Sequence, residues 1–203
     1  MQIDFSTLSP NQIYHTMIQT IIPRPIAWIL SENDNSTFNL APFSYFNAVS
    51  SSPPLLLISI GRKSKDNPKD TVANIRSTGK FVVHIAHQDL AEPLNSSAAT
   101  LAYGESELTT TQLETAAFDT FSLPRIKDAP IAFACELYEL QEIGNTPMSL
   151  VFGEIKYAYI SDTIATQDGK HLKVLADQLN PLSRLGGNDY CGLGKTFTLP
   201  RPK

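Results

Sequence analysis

Two apolar runs, IAFACELYELQEI from Ile131 and SLVFGEIKYAYI from Ser149, are separated by little more than GNTP. That gap constrains the fold more than any other feature of the chain. Parallel neighbours need a crossover of about a dozen residues or more, so strands this close in sequence turn back on one another as a hairpin. Glycine, asparagine and proline are the residues such a turn uses. Most other connections between strand-like runs are also too short for a helical crossover, which argues against a doubly wound α/β sheet.

The remaining runs fit the same pattern. PRPIAWILSE opens after its prolines with Ile26, Trp28 and Leu30 on one face. FNLAPFSYFNAVSSS is a long extended segment in which Pro42 predicts a bulge or bend. SPPLLLISI and KFVVHIA are apolar runs of strand length. Helices are inserted singly. Ser9, Pro10 and Gln12 spell a capping box ahead of the first. DTVANIRST is a second, stopped at Gly79. DLAEPLNSSAATLAY is a third, with Leu90, Leu94, Ala98 and Leu101 at helical spacing, and TTTQLETAAF a short fourth. The expectation is one mainly β domain over residues 1–203, an antiparallel barrel with a few short helices. A chain of 203 residues that is 42% hydrophobic has material for one substantial core.

The formal net charge of -4 argues against general attraction to nucleic acid or to an anionic membrane. Neither an apolar leader nor a run of membrane-spanning length is present, so a cytoplasmic protein is expected. Cys135 sits in an apolar run and Cys191 in GGNDYCGLG, with no CxxC or HxxxH spacing, so no disulfide framework and no metal site are expected.

Against this acidic background, SIGRKSKDNPKDTVANI gathers Arg62, Lys63, Lys65 and Lys69 around Ser59, Ser64 and Thr71. Asn67, Pro68 and Asp70 read as a helix start: asparagine as cap, proline in the first turn, the carboxylate reaching back to a free amide. The first turn of such a helix offers unpaired N–H groups and the positive end of its dipole. With hydroxyls and cations beside it, the arrangement suits a phosphate group. A solvated cationic loop ahead of an ordinary helix is the competing reading. Nothing here matches a P-loop or a glycine-rich dinucleotide fingerprint. The preceding segment mixes aromatics with Asn39, Ser44, Asn47, Ser50, Ser51 and Ser52. It suits either a flat heteroaromatic ring lying along a strand or a serine-rich edge strand facing water.

PRPIAWI, NLAPFSYFNAVSSSPPLLLISIG, KDTVANI, TGKFVVHIA and SRLGGNDY occur in this order from about Ile21 to Tyr190. Together they resemble the flavin-reductase-like family with the FMN-binding split-barrel fold, in particular its flavoredoxin-like branch. The resemblance implies an antiparallel split β-barrel, a homodimer, and FMN near the subunit interface. It sets the isoalloxazine against the Asn39–Ser52 segment, with Asn39, Ser44, Asn47, Ala48 and Ser50 as contacts. Arg62, Ser64, Lys69, Asp70 and Thr71 correspond to the phosphate side. Arg24 and Trp28 correspond to a strand near the cofactor, with Arg24 or Lys69 as a donor toward the reduced ring. The implied activity is an NAD(P)H-dependent flavin-reductase-like oxidoreductase that passes electrons to a small acceptor or partner protein. The alternative is an FMN-binding electron-transfer protein without efficient NAD(P)H oxidation of its own. The flavin would carry the chemistry in either case, so no catalytic side chain is expected. His84, within a strand, reads as a hydrogen-bonded core residue ahead of a flavin-facing one. Arg184 and Tyr190 flank two glycines, either as a lid over the flavin or as a turn packing the tail.

Overall fold

The computed structural model describes residues 1–64, 67–145, 147–169 and 171–202. Helix α1 (Pro10–Thr20) starts at the expected capping box: Ser9 Oγ accepts from the Gln12 amide while Gln12 Oε1 accepts from the Ser9 amide. Strands β1 (Arg24–Pro25), β2 (Ala27–Glu32), β3 (Phe38–Phe43), β4 (Phe46–Ser51) and β5 (Pro54–Ile60) follow without an intervening helix. Helix α2 (Asp70–Thr78) ends at Gly79, whose φ of 69° lies where a side chain would be strained. Then come β6 (Lys80–Ile85), the short helices α3 (Ala91–Ser96) and α4 (Glu107–Thr111), and the hairpin of β7 (Thr115–Phe118) and β8 (Phe121–Ile126). Strands β9 (Ile131–Ile143) and β10 (Met148–Ile160) pair antiparallel along their length, as the short gap requires. Thr146, within the predicted turn, lies outside the described residues. A small hairpin of β11 (Ala165–Asp168) and β12 (His171–Val174), helix α5 (Ala176–Leu179), and strands β13 (Ser183–Arg184) and β14 (Tyr190–Cys191) complete the chain.

Seven strands form one antiparallel sheet in the order β3-β2-β6-β9-β10-β5-β4. Its edge strands, β3 and β4, are consecutive in the chain and joined only by Ser44 and Tyr45. Neighbouring strands lie about 4.8 Å apart and a residue spans at most about 3.5 Å, so this link cannot cross a flat sheet. The sheet must therefore curl until its edges approach, giving a barrel split at the β3/β4 seam. The Ser59 amide donates to Tyr45 O at 2.8 Å and pins the link against β5.

Strand β2 is buried on both faces, and its alternation supplies two cores. Trp28 and Leu30 pack with Leu40, Val82, Leu94, Leu123 and Ile126. Ala27 and Ile29 pack with Leu56, Ile58, Phe81, Val83 and Val151, joined by Val72 and Ile75 of α2. Each fully buried aliphatic side chain contributes roughly 1.5–3 kcal/mol. Gly153 of β10 lies under the Phe81 ring, where an added Cβ would collide with Phe81 Cζ. His84 is a core residue: Nδ1–H donates to Trp28 O and Nε2 accepts from the Ile126 amide, each at 2.9 Å. Burial lowers its pKa to about 4, so the ring is neutral. Cys135 is buried, and burial pushes its thiol pKa up; both cysteines are free.

Three local expectations change. Pro42 does not break its strand, since it pairs opposite Trp28 inside β3, and the bend falls at Ser44–Tyr45. Proline is tolerated there because β3 is an edge strand. The predicted helix from Asp89 to Tyr103 shrinks to a 3-10 turn and α3, leaving Ala98 and Leu101 outside, and the chain beyond Ser97 runs toward β3 instead. TTTQLETAAF divides between the end of α4 and β7, where pairing with β8 overrides the helical pattern.

Candidate functional site

The site is built where α2 begins beside β3. The predicted asparagine cap is not used. Asn67 O accepts from the Lys63 amide at 3.0 Å, and Pro68 bridges Arg62, so the chain is still extended at both residues. Helix α2 starts later, with Lys69 in the cap position, extended and without a side-chain cap. Asp70 does not reach back either, because its carboxylate pairs with Lys63 Nζ at 3.0 Å. Without a side-chain cap, the first amides of α2 are left to whatever occupies the space before them.

A buried polar network fixes α2 to the sheet. Asn39 Nδ2 donates to Thr71 Oγ1 at 2.9 Å, and Asn74 Nδ2 donates to Asn33 Oδ1 at 2.8 Å and Ser31 Oγ at 3.2 Å. Thr71 accepts from Asn39, so its own hydroxyl hydrogen remains available to a further acceptor. Side-chain bonds of this kind orient the helix start relative to β3 more tightly than apolar contact would.

In front of this corner is a cleft open to solvent. One wall is Asn39, Ala41, Pro42 and Phe43 of β3; the floor is Lys69, Asp70 and Thr71; the far wall is Ser97–Leu101 with Glu107, and Lys63 overhangs it. Lys63 Nζ is held by Asp70 and by Leu101 O at 2.8 Å. Glu107 is only 6% exposed. Its Oε2 accepts the outward-facing Leu40 amide of edge strand β3 at 2.7 Å, while the Ser106 hydroxyl donates to Phe38 O. Burial holds the Glu107 carboxyl above the ordinary carboxylate range; the Leu40 hydrogen bond opposes that shift and the Asp70 charge adds to it.

Of the residues expected from sequence, Asn39, Lys69, Asp70 and Thr71 meet in this cleft. Others do not line it. Arg24 is buried and spends its guanidinium on protein acceptors: Ile18 O and Ile21 O at 2.7 Å, Leu185 O at 2.8 Å, and Ser44 Oγ at 3.4 Å. It ties the end of α1 to the tail, with four of its five N–H donors directed at protein acceptors. Trp28 is fully buried and reaches the cleft only indirectly, donating from Nε1 to Ser97 Oγ at 2.8 Å. Asn47, Ala48 and Ser50 lie exposed on β4, across the seam, and among the described residues β4 pairs with β5 alone. Arg62 turns to Glu142 at 3.5 Å, and Ser64 Oγ accepts from Asn67 Nδ2. Lys65 lies outside the described residues.

Sequence reasoning noticed Lys63 in the cationic loop without assigning it to the site, and it missed Ser97–Leu101 and Glu107. An apolar period run into SSAATL hid the first of these, and nothing marks a lone glutamate in a helix start as a wall residue. Arg184 and Tyr190 lie against each other on the paired strands β13 and β14. The guanidinium stacks 4.3 Å from the tyrosine ring centroid, and Tyr190 Oη donates to Asn95 Oδ1 at 3.0 Å.

A curled antiparallel sheet split between two edge strands, with a helix starting beside the seam, defines a split barrel. The chain belongs to the flavin reductase like domain family, whose pattern it matches over residues 19–175. It is 39% identical over 199 residues to the uncharacterised protein YwrF of Bacillus subtilis, covering 96% of each chain. Its structure is similar to nitrilotriacetate monooxygenase component B from Bacillus cereus, with 32% identity, a TM-score of 0.91 and 98% of each chain covered. It is also similar to the 2-nitrobenzoate 2-nitroreductase NbaA of Pseudomonas fluorescens, with 33% identity, a TM-score of 0.88, and 100% and 96% of the two chains covered. The flavoredoxin of Desulfovibrio vulgaris shares the fold at 16% identity, with a TM-score of 0.73 and 98% and 97% covered.

Proposed function

We propose that the protein is a flavin-dependent oxidoreductase that binds FMN with its phosphate at the start of α2. In this reading it takes electrons from NADH or NADPH and passes them to a small acceptor or a partner protein. The observation that carries it is the cleft floor, where the helix start without a side-chain cap, Lys69 and Thr71 line the same space. Family membership supports a flavin over other phosphorylated ligands. A bound flavin supplies hydride and single-electron chemistry that no side chain can provide.

The chain's own part is to bind, orient and shield. Lys69 and Thr71 would hold the phosphate, and Asn39 keeps the Thr71 hydroxyl turned toward it. Asp70 keeps Lys63 in place over the cleft. Asn47, Ala48 and Ser50, on the unpaired side of β4, are the proposed rest for the ring. We further propose one domain over residues 1–203, working in the cytoplasm as a homodimer that covers the exposed β4 edge.

The test is the visible spectrum of purified protein with added FMN, followed by anaerobic NADH and then NADPH. Saturable binding with bleaching of the flavin band is expected. Binding without bleaching would leave a carrier in place of a reductase. Replacing Lys69 and Thr71 together by alanine should weaken FMN binding with the fold intact, and unchanged affinity would refute the phosphate assignment. The likeness to NbaA makes 2-nitrobenzoate a sensible first acceptor to offer the reduced protein.

A further inference from the structure

The cleft that suits an anion also contains a carboxylate that opposes one. Lys63 and Asp70 neutralise each other at 3.0 Å. Of the charged side chains lining the cleft among the described residues, that leaves Lys69 against Glu107. Glu107 Oε2 is engaged by the Leu40 amide, and the residue's own backbone N–H also bonds its carboxylate. The side chain is held inward by Leu40, and Ser106 is anchored on Phe38, so it is poorly placed to swing away into solvent. A phosphate arriving at the floor would therefore meet a fixed carboxylate within a partly dehydrated cleft, where like charges interact strongly.

We propose that Glu107 makes the cleft's hold on a phosphate-bearing ligand proton-coupled, the carboxylate taking up a proton as the anion binds. This rests on the FMN reading and adds a specificity role to it. With Glu107 ionised the phosphate is held weakly and the flavin exchanges; with Glu107 protonated the flavin is retained. The groups facing it are Asp70, which favours protonation, and Lys63, which opposes it. Lys69 shares the same cleft. The direction is distinctive, because the ligand's own phosphate, with a second pKa near about 6, would by itself bind better as pH rises.

The experiment measures dissociation constants for FMN and riboflavin from pH 5.5 to 8.5, in the wild-type protein and in Glu107→Gln. Glutamine keeps an acceptor for the Leu40 amide, and riboflavin has no phosphate, so it reports the integrity of the site. Wild-type FMN binding should weaken toward high pH relative to riboflavin. At pH 8 the variant should bind FMN about tenfold more tightly than wild type, the factor that one pKa unit of coupling represents. Calorimetry of FMN binding to wild type at pH 7, in two buffers of different ionisation enthalpy, should show net proton uptake and does not depend on any variant. FMN binding that is unchanged by Glu107→Gln, with no proton uptake, overturns this proposal alone. Failure of wild type to bind FMN at any pH overturns the FMN reading and this proposal with it.

Discussion

His84 gives the sharpest quantitative consequence of the fold. Its ring is closed in the core, with Nδ1–H donating to Trp28 O and Nε2 accepting from the Ile126 amide. A proton on Nε2 would break the second bond and place a charge in a fully buried site. The folded pKa accordingly falls from the usual 6.5 to about 4, chiefly through burial. In the unfolded chain the ring takes its proton near pH 6.5, so between these values the unfolded state binds more protons than the folded one. Stability from this group is complete above pH 6.5 and is lost progressively as pH falls toward 4. The full shift corresponds to about 3 kcal/mol, of which about 2 kcal/mol is lost between pH 7 and pH 5. Urea unfolding of wild type and His84→Gln at both pH values isolates this contribution, because carboxylate titrations common to the two proteins cancel in the difference. Wild type should lose about 2 kcal/mol more than the variant on acidification, a large share of a typical domain's stability. Equal losses in the two proteins would mean that the ring is solvated or already charged at pH 5, and the packing argument would fail.

Two further substitutions test the frame. Gly153→Ala drives a Cβ into the Phe81 ring, so it should cost about 1–3 kcal/mol and lower the melting temperature. An unaltered melting temperature would show that Phe81 moves aside freely. Arg24→Met removes the donors that join Ile18 and Ile21 to Leu185 and should cost about 3 kcal/mol in urea unfolding. A loss under about 1 kcal/mol would return Arg24 to consideration as a ligand residue.

The long β9/β10 hairpin, the start and the interior of α1, the stop at Gly79 and the Trp28–Leu30 face of β2 are all legible in the chain. Each is decided by residues close together: a gap too short for a crossover, a cap three residues from its partner, an alternation within one strand. The start of α2 is a near case. Asparagine-proline has the form of a cap, yet pairing of Arg62 with Pro68 keeps that stretch extended and moves the helix start to Lys69. A local signal loses there to a local bridge that only the folded loop reveals.

The cleft divides in the same way. Its floor, Lys69 to Thr71, and the Asn39 side of β3 are written in the sequence as a cationic helix start and a polar strand. Its far wall is not, because Glu107 becomes a wall residue only by accepting the amide of Leu40, and Lys63 becomes an overhang only by bonding to Leu101. Arg24 shows the converse: its motif suggests a ligand contact, while most of its donors go to acceptors within the protein, as distant in the chain as Leu185. What the sequence alone determined is the run of strands that builds the large sheet and the cationic character of the α2 start, since periodicity and helix termini are short-range properties. Which charged groups face the cleft and which are spent within the protein was decided by the curled sheet, which brings β3 against segments that no local pattern connects.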